Sequence, residues 1–338
     1  MEQRCFILRH LDKDVCKKSS SGGAFTAITD SWFSAWGEKA VVYGCVLDDT
    51  MTAKHVRAEI PAERDIMRGS KYIGSNMSGV LRKVESDLRN GRYVAFSGTP
   101  CQIGGLTAFL QARGITSGEQ LLTIEVVCHG VGSVRFFHDY IAFYEQKYRS
   151  AVTYCSFRGK SRPGKRQEMV LHFANGRKYI SPAARYDGFL SAYGRNYLLR
   201  PSCFQCKYAI AVRNADITIA DYWNDTMGNA EARSAVIAST SVGYFWLQNS
   251  FSVANIEEVT LRMIHQPQLS APSEQPRDYG QFWRMYEESG YQAVQSWLGN
   301  NTLVGKIKLF LVRILYVVHM TDLIKYMKNL VRKMLWGK

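Results

Sequence analysis

The chain lacks low-complexity tracts and internal repeats, which excludes repeat arrays and disordered scaffolds as its architecture. Eight cysteines in 338 residues are too few for a disulfide framework. The first ten residues, Met-Glu-Gln-Arg-Cys-Phe-Ile-Leu-Arg-His, have no apolar run of the length a secretory signal needs. Reduced thiols in a cytoplasmic setting are therefore expected. Acidic residues are scarce, with 29 Asp and Glu against 43 Lys and Arg and a net charge of +14. That shortage is concentrated: Leu303 to Lys338 holds eight basic residues against the single Asp322, a net of +7. The body is only mildly basic, which argues against a nucleic-acid groove spread over the fold.

What remains reads as an ordinary folded chain, 46% apolar and long enough for a sizeable core. The polar, glycine-rich segment Lys17-Lys-Ser-Ser-Ser-Gly-Gly-Ala-Phe25 runs into a helical pattern over 26–33. Such a segment supplies cap oxygens and free backbone N–H groups, though a capped helix after a loop needs no ligand. Two strand–turn–helix units follow. Tyr93-Val-Ala-Phe96 leads through Ser97-Gly-Thr-Pro-Cys101 to a helix over 103–113. The run 121–127 leads through Cys128-His-Gly-Val-Gly-Ser133 to a helix over 134–148. Each unit places a cysteine at the end of a strand, so both thiols fall on one edge of a sheet, where α/β folds bind ligands. Short strands are expected at 152–157, 169–173, 215–220 and 234–240, with mainly helix beyond. The expected fold is α+β (mixed α/β), a central mixed sheet with flanking helices and cofactor-binding loops at one edge.

Cys203 and Cys206 stand three residues apart after Arg200-Pro-Ser, so both can reach one ion or cluster. Between Cys101 and Cys128 lie 26 residues, and between Cys128 and Cys203 lie 74. Ligands scattered in this way suit a cubane iron–sulfur cluster held where loops converge. A structural zinc and unligated thiols remain open from spacing alone. Cys5, Cys16, Cys45 and Cys155 read as ordinary thiols. Lys71, in Arg68-Gly-Ser-Lys71, offers a cation beside a turn. His129 is a candidate proton carrier, and Asp216 and Asp221 flank a strand as either ligands or caps.

Taken in order, seven segments resemble the coenzyme F-420 hydrogenase/dehydrogenase beta-subunit family. They are Lys-Lys-Ser-Ser-Ser-Gly-Gly-Ala-Phe, Arg-Gly-Ser-Lys-Tyr, Phe-Ser-Gly-Thr-Pro-Cys-Gln-Ile-Gly-Gly-Leu, Val-Cys-His-Gly-Val-Gly-Ser, Ser-Phe-Arg-Gly-Lys, Arg-Pro-Ser-Cys-Phe-Gln-Cys and Ala-Asp-Ile-Thr-Ile-Ala-Asp-Tyr-Trp. The resemblance spans roughly residues 10 to 300. It implies a flavin-dependent iron–sulfur oxidoreductase in which Cys101, Cys128, Cys203 and Cys206 ligate one [4Fe-4S] cluster. It also implies an FAD site formed by Ser20, Ser21, Gly22, Gly23, Lys71, Tyr72, Ser97, Gly98, Thr99 and Gln102, with Lys71 and His129 as catalytic candidates. The deazaflavin coenzyme itself is not implied. Two departures matter. Many relatives carry an N-terminal ferredoxin segment that this chain does not show, so electrons are expected from a separate ferredoxin-like partner or a soluble hydride donor. Where the family usually has Gly-Asp, this chain has Ala220-Asp221. Shortened members are associated with surface-polysaccharide biosynthesis, which makes a redox step on a glycan precursor an expectation here. A homo-oligomer is compatible with all of this.

The segment 266–276, with Pro267, Pro272 and Pro276, reads as a linker. The expected division is a catalytic body over 1–265, a linker and helical extension over 266–300, and a basic tail over 301–338. Ile307 to Met320 is too short and too charged to span a bilayer. A basic amphipathic helix on an anionic inner membrane face fits better, with Tyr316 and Trp336 at the interface. The non-catalytic alternative is a zinc-binding scaffold protein recruited by that tail.

Overall fold

The apolar runs at 93–96 and 121–127 alternate between two helix layers, as strands covered on both faces must. A computed structural model describes residues 2–116, 118–160, 168–223 and 232–298. The expected tail over 301–338 and most of the basic run from Arg158 to Arg166 lie outside the described residues. The strands are β1 (Arg4–His10), β2 (Ala40–Leu47), β3 (Ala53–Ala58), β4 (Tyr93–Gly98), β5 (Leu121–Val126), β6 (Val152–Gly159), β7 (Glu168–Phe173), β8 (Lys178–Ile180), β9 (Ile217–Asp221), β10 (Ser234–Ala238) and β11 (Ala254–Val259). Eight of them form one mixed sheet in the order β11-β1-β10-β9-β5-β4-β2-β3, while β6-β7-β8 form a small antiparallel sheet. Strands β2, β4, β5 and β9 are mutually parallel, so their carboxyl ends share one edge.

The helices are α1 (Lys13–Lys18), α2 (Ala24–Trp36), α3 (Pro61–Asp65), α4 (Val80–Arg89), α5 (Pro100–Ala112), α6 (Val134–Tyr148), α7 (Gly188–Gly194), α8 (Ser241–Asn249), α9 (Leu261–Ile264) and α10 (Tyr279–Trp297). Trp32 of α2 and Trp246 of α8 pack with Ala95, Leu122 and Ile124 on one face of the sheet. Val84, Ile103 and Leu106 of α4 and α5 pack with Val94 and Phe96 on the other. The small sheet packs with α6, α7 and α10 around an aromatic core that includes Phe136, Phe157, Phe189 and Phe282. The α+β architecture with a mixed central sheet is thus the one observed.

The boundaries differ in ways with physical causes. Helix α5 begins at Pro100, not near Ile103, because proline at the first position and the Thr99–Gln102 capping box start it early. The region beyond 240 is not all helix: Ala254–Val259 forms the edge strand β11, paired with β1. Residues 266–276 lie against the body, with Gln266 Nε2 donating to the Asp221 carbonyl at 2.6 Å and Leu269 buried. Among the described residues no helix is long and apolar enough to cross a membrane.

Candidate cofactor site at the carboxyl edge of the sheet

A cavity of about 600 Å3 opens where the carboxyl ends of β4, β5 and β9 face β6 and α7. That volume lies within the range of small-molecule and cofactor sites. Ser20, Ser21 and Gly23 line it, followed by the first turn of α2. Gly22 does not line it but lies beneath. A Cβ there would sit 2.6 Å from the Ser234 nitrogen and 2.9 Å from Arg233 Cα, and would overlap the Leu8 carbonyl. Only glycine lets the loop pass that close, and it is pinned there by Gly22 N–H to Ser234 Oγ at 3.0 Å. Gly23 then caps α2 at a φ of +86° without a side-chain bond to the helix. The helix N-terminus therefore presents uncapped N–H groups at the cavity, a setting that favours an anion. Ser20 fixes the opposite loop by accepting from Ser70 N–H at 2.8 Å.

Ser97, Gly98, Thr99 and Gln102 line the cavity as well. Thr99 and Gln102 are occupied with each other, since Gln102 Oε1 accepts from Thr99 N–H at 2.9 Å. Their side chains thus close the start of α5. Ser97 is held by its carbonyl, which accepts from His55 Nε2 at 3.0 Å, while His55 Nδ1 bonds Ser75 Oγ at 2.6 Å. His55 has no local sequence signal. It comes from β3, whose antiparallel pairing with β2 places it.

Lys71 and Tyr72 stand on the cavity wall. Lys71 Nζ donates to the carbonyls of Met67 at 2.8 Å and Arg68 at 3.0 Å, using two of its three N–H groups. Burial pushes its pKa down from 10.5 to about 8, and the Cys45 thiol nearby opposes that shift. Cys45, an ordinary thiol by sequence, is therefore a cavity residue. Tyr72 stacks on Tyr193 with ring centroids 4.7 Å apart.

The cavity's charged groups favour an anion. Among the described residues, Arg68, Lys71, Arg158 and Arg200 line it against one carboxylate, Asp221. Arg158 of β6 donates to Asp221 at the end of β9, tying the small sheet to the large one. Asp216, the other strand-flanking aspartate, is a structural tie. Its carboxylate accepts from Thr123 N–H at 2.9 Å, Thr123 Oγ1 at 2.7 Å and Thr240 Oγ1 at 2.7 Å. Arg158 and Arg200 belong to the Ser-Phe-Arg-Gly-Lys and Arg-Pro-Ser-Cys motifs, so a sequence signal for both existed without an assigned role.

The four cysteines come from three places. Cys101 sits in the first turn of α5, Cys128 follows β5, and Cys203 and Cys206 lie in the loop before β9. Cys101 and Cys128 both line the cavity. The set is close enough for the charges to interact. Burial is the main reason the Cys128 thiol is pushed up to about 12, with Cys101, Cys203 and Cys206 adding to it and the Gly130 N–H opposing. Cys203 Sγ accepts from Val131 N–H at 3.4 Å, and its pKa is likewise raised by burial first and by neighbouring thiols. Among the described residues, no three His, Cys, Asp or Glu side chains are gathered around a single metal-ion position. The donor set nonetheless suits a cluster chemically, with four soft sulfurs, backbone N–H groups at two of them, and crowding that a bound cation would relieve.

His129 also lines the cavity, its Nδ1 3.2 Å from Gln268 Nε2 and its carbonyl accepting from Ser273 Oγ at 2.5 Å. Burial lowers its pKa, so the ring is neutral near pH 7. The 266–276 segment is thus a strap that holds this loop.

Gly104 explains how the Cys101 helix meets the Cys206 loop. A Cβ at Gly104 would lie 2.7 Å from Cζ and Oη of Tyr208 and overlap the ring edge, whereas one at Gly105 would meet nothing within 4 Å. Gly104→Ala is expected to cost about 1–3 kcal/mol through overpacking. Gly105→Ala should be neutral or gain up to about 1 kcal/mol from helix propensity. Thermal melts of the two variants check this, and equal melting temperatures would remove the close-contact argument.

The comparisons with known proteins bear on the fold and the family. The xenon-derivatised structure of the F420-reducing [NiFe] hydrogenase complex from Methanosarcina barkeri contains a similar chain, with a TM-score of 0.51 at 18% identity over 87% of this chain and 90% of that one. At that identity the likeness is one of fold. No curated protein matches the chain. Residues 91–262, just over half of the sequence, match the family described as the C terminus of the coenzyme F420 hydrogenase/dehydrogenase beta subunit. That segment carries β4, the turn with Cys101, Cys128 and the 203/206 pair, and the chain belongs to this family.

Proposed function

We propose that the chain is an oxidoreductase using FAD and one [4Fe-4S] cluster, moving electrons between a hydride carrier or substrate and a redox partner. The observation that carries this is continuity: Cys101 and Cys128 line the same cavity as the α2 N-terminus and Lys71. FAD would supply conversion between two-electron and one-electron steps, and the cluster a one-electron relay. The uncapped N–H groups of α2 suit the pyrophosphate. Lys71, charged below pH 8, suits an electron-rich edge of the ring or a phosphate. Tyr72 and Tyr193 stack on the same cavity wall, with Tyr193 close to Cys128 and Cys203, and would pack beside the bound groups. The four thiolates would hold the cluster, with N–H groups of Gly130 and Val131 at the sulfurs. The similar chain belongs to a hydrogenase complex, which supports a separate redox partner here. A role in surface-polysaccharide biosynthesis rests on the resemblance alone.

Purification without oxygen tests the reading. Brown protein with iron, sulfide and released FAD in equal proportion to cluster is the expected result. Colourless protein carrying one zinc would replace it with the structural-metal alternative.

A further inference from the structure

We infer that the buried Glu125–Arg213 ion pair positions the Cys203–Cys206 loop against the strands that lead into the Cys101 and Cys128 turns. Both side chains are almost wholly out of water, at 1% and 2% exposure. A buried pair of this kind is often no more stable than two apolar residues of the same size. What it adds is direction. Arg213 Nε donates to Glu125 Oε1, and Nη1 donates to the Ile210 carbonyl at 2.7 Å and the Tyr208 carbonyl at 3.4 Å. Those carbonyls lie two and four residues beyond Cys206, so the planar guanidinium sets the curl of the loop that leaves the cysteine pair. Glu125 also accepts from Thr218 Oγ1 of β9 at 2.8 Å.

The register makes the position of Glu125 informative. On β5 it pairs with Gly98 of β4 on one side and Thr218 of β9 on the other. Three residues after Gly98 is Cys101, and three residues after Glu125 is Cys128. One carboxylate therefore stands level with the starting points of both single-cysteine turns and grips the arginine that shapes the third. Neither residue is a ligand; they act through the loop.

The geometry stands without a cluster, but its consequence for one rests on the function proposed above. The test uses the full chain, stripped of metal by chelator, with alkylation of each thiol followed by mass spectrometry. In Arg213→Met, Cys203 and Cys206, both half-buried, should label at least about 10-fold faster than in the wild type, with Cys155 unchanged; a partly shielded thiol reports loosening of its loop by its reaction rate. Arg213→Lys, which keeps the charge but not the fork, should not restore slow labelling. The double variant Glu125→Leu/Arg213→Met leaves no unpaired charge and should melt close to the wild type while still labelling fast. In loaded protein the same variants should lose cluster absorbance in air about 10-fold faster, with FAD retained. Wild-type labelling rates in the folded double variant, or slow labelling in Arg213→Lys, would overturn the inference. A wild-type protein that binds no iron yet shows the labelling pattern would sink the cluster reading and leave the positioning role standing.

Discussion

Cys203→Ser is expected to remove nearly all visible cluster absorbance, with iron content falling to about a tenth of wild type or less, because a hard hydroxyl is a poor replacement for a soft thiolate. The effect should reach the other ligands as well. Cys128 is already pushed up to about 12 by burial and by the three thiols around it, and burial raises Cys203 likewise, so a bound cation favours both thiolates. Removing one sulfur leaves three that are held apart by α5, β5 and the 203–206 loop. The control must be a thiol outside the set. Cys45 is a poor choice, because it lines the cavity beside Lys71 and its loss would disturb bound flavin. Cys155 is better: it lies in the aromatic core beside Met169, with its Sγ 3.8 Å from Met169 Sδ. Cys155→Ala should keep both colour and iron while lowering the melting temperature. Equal bleaching by Cys203→Ser and Cys155→Ala, measured by iron assay and absorbance on folded protein, would refute the ligand assignment.

The parts of this site legible in the sequence are those whose cause is local. Gly98, Pro100 and Cys101 announce a strand ending in a turn and a helix, because apolar runs, a tight turn and a proline at the first helical position act within ten residues. The same holds for β5, Cys128 and α6, and for the glycines before α2. Fold class follows once two such units stand in sequence. The elements missed are those defined by distant partners. Strand β1 gains its identity from β10 and β11, more than 200 residues away, and β3 carries alternating polar residues whose pairing only β2 reveals. The same limit applied to side chains. Cys45 reads as an ordinary thiol and His55 has no motif, yet both reach the cavity from strands whose placement is a tertiary fact. Segment 266–276 carries three prolines and looked like a spacer, while its glutamines and Ser273 hold the Asp221 and His129 loops from outside. Gly22 is legible as a glycine that matters, and the close approach of the backbone beneath it is a tertiary reason that no local pattern carries.

Lys71 gives the second large effect, and its sign follows from burial. Its folded pKa of about 8 lies below the ordinary value of 10.5. Between those limits the unfolded chain holds a proton that the folded chain has released, so this group makes the empty protein more stable as pH rises from 8 towards 10.5. Anion binding runs the other way. Below pH 8 the ammonium is present to meet a phosphate or an electron-rich ring edge; above it the charge must be restored by taking up a proton on binding. The affinity for FAD should therefore fall as pH rises from 7 to 9.5, by at most about 10-fold per pH unit for one proton. Lys71→Met should flatten that profile. It should also weaken binding at pH 7 by about 10- to 100-fold, the range expected for losing one hydrogen bond from a charged donor. Because the two carbonyls of Met67 and Arg68 lose their donor as well, Lys71→Arg is the companion variant: it keeps a charge that does not titrate in this range. Flavin-fluorescence titrations across the pH series decide the matter. If Lys71→Met keeps the wild-type slope, the titrating group lies elsewhere and Lys71 is a wall residue that braces the 67–71 turn.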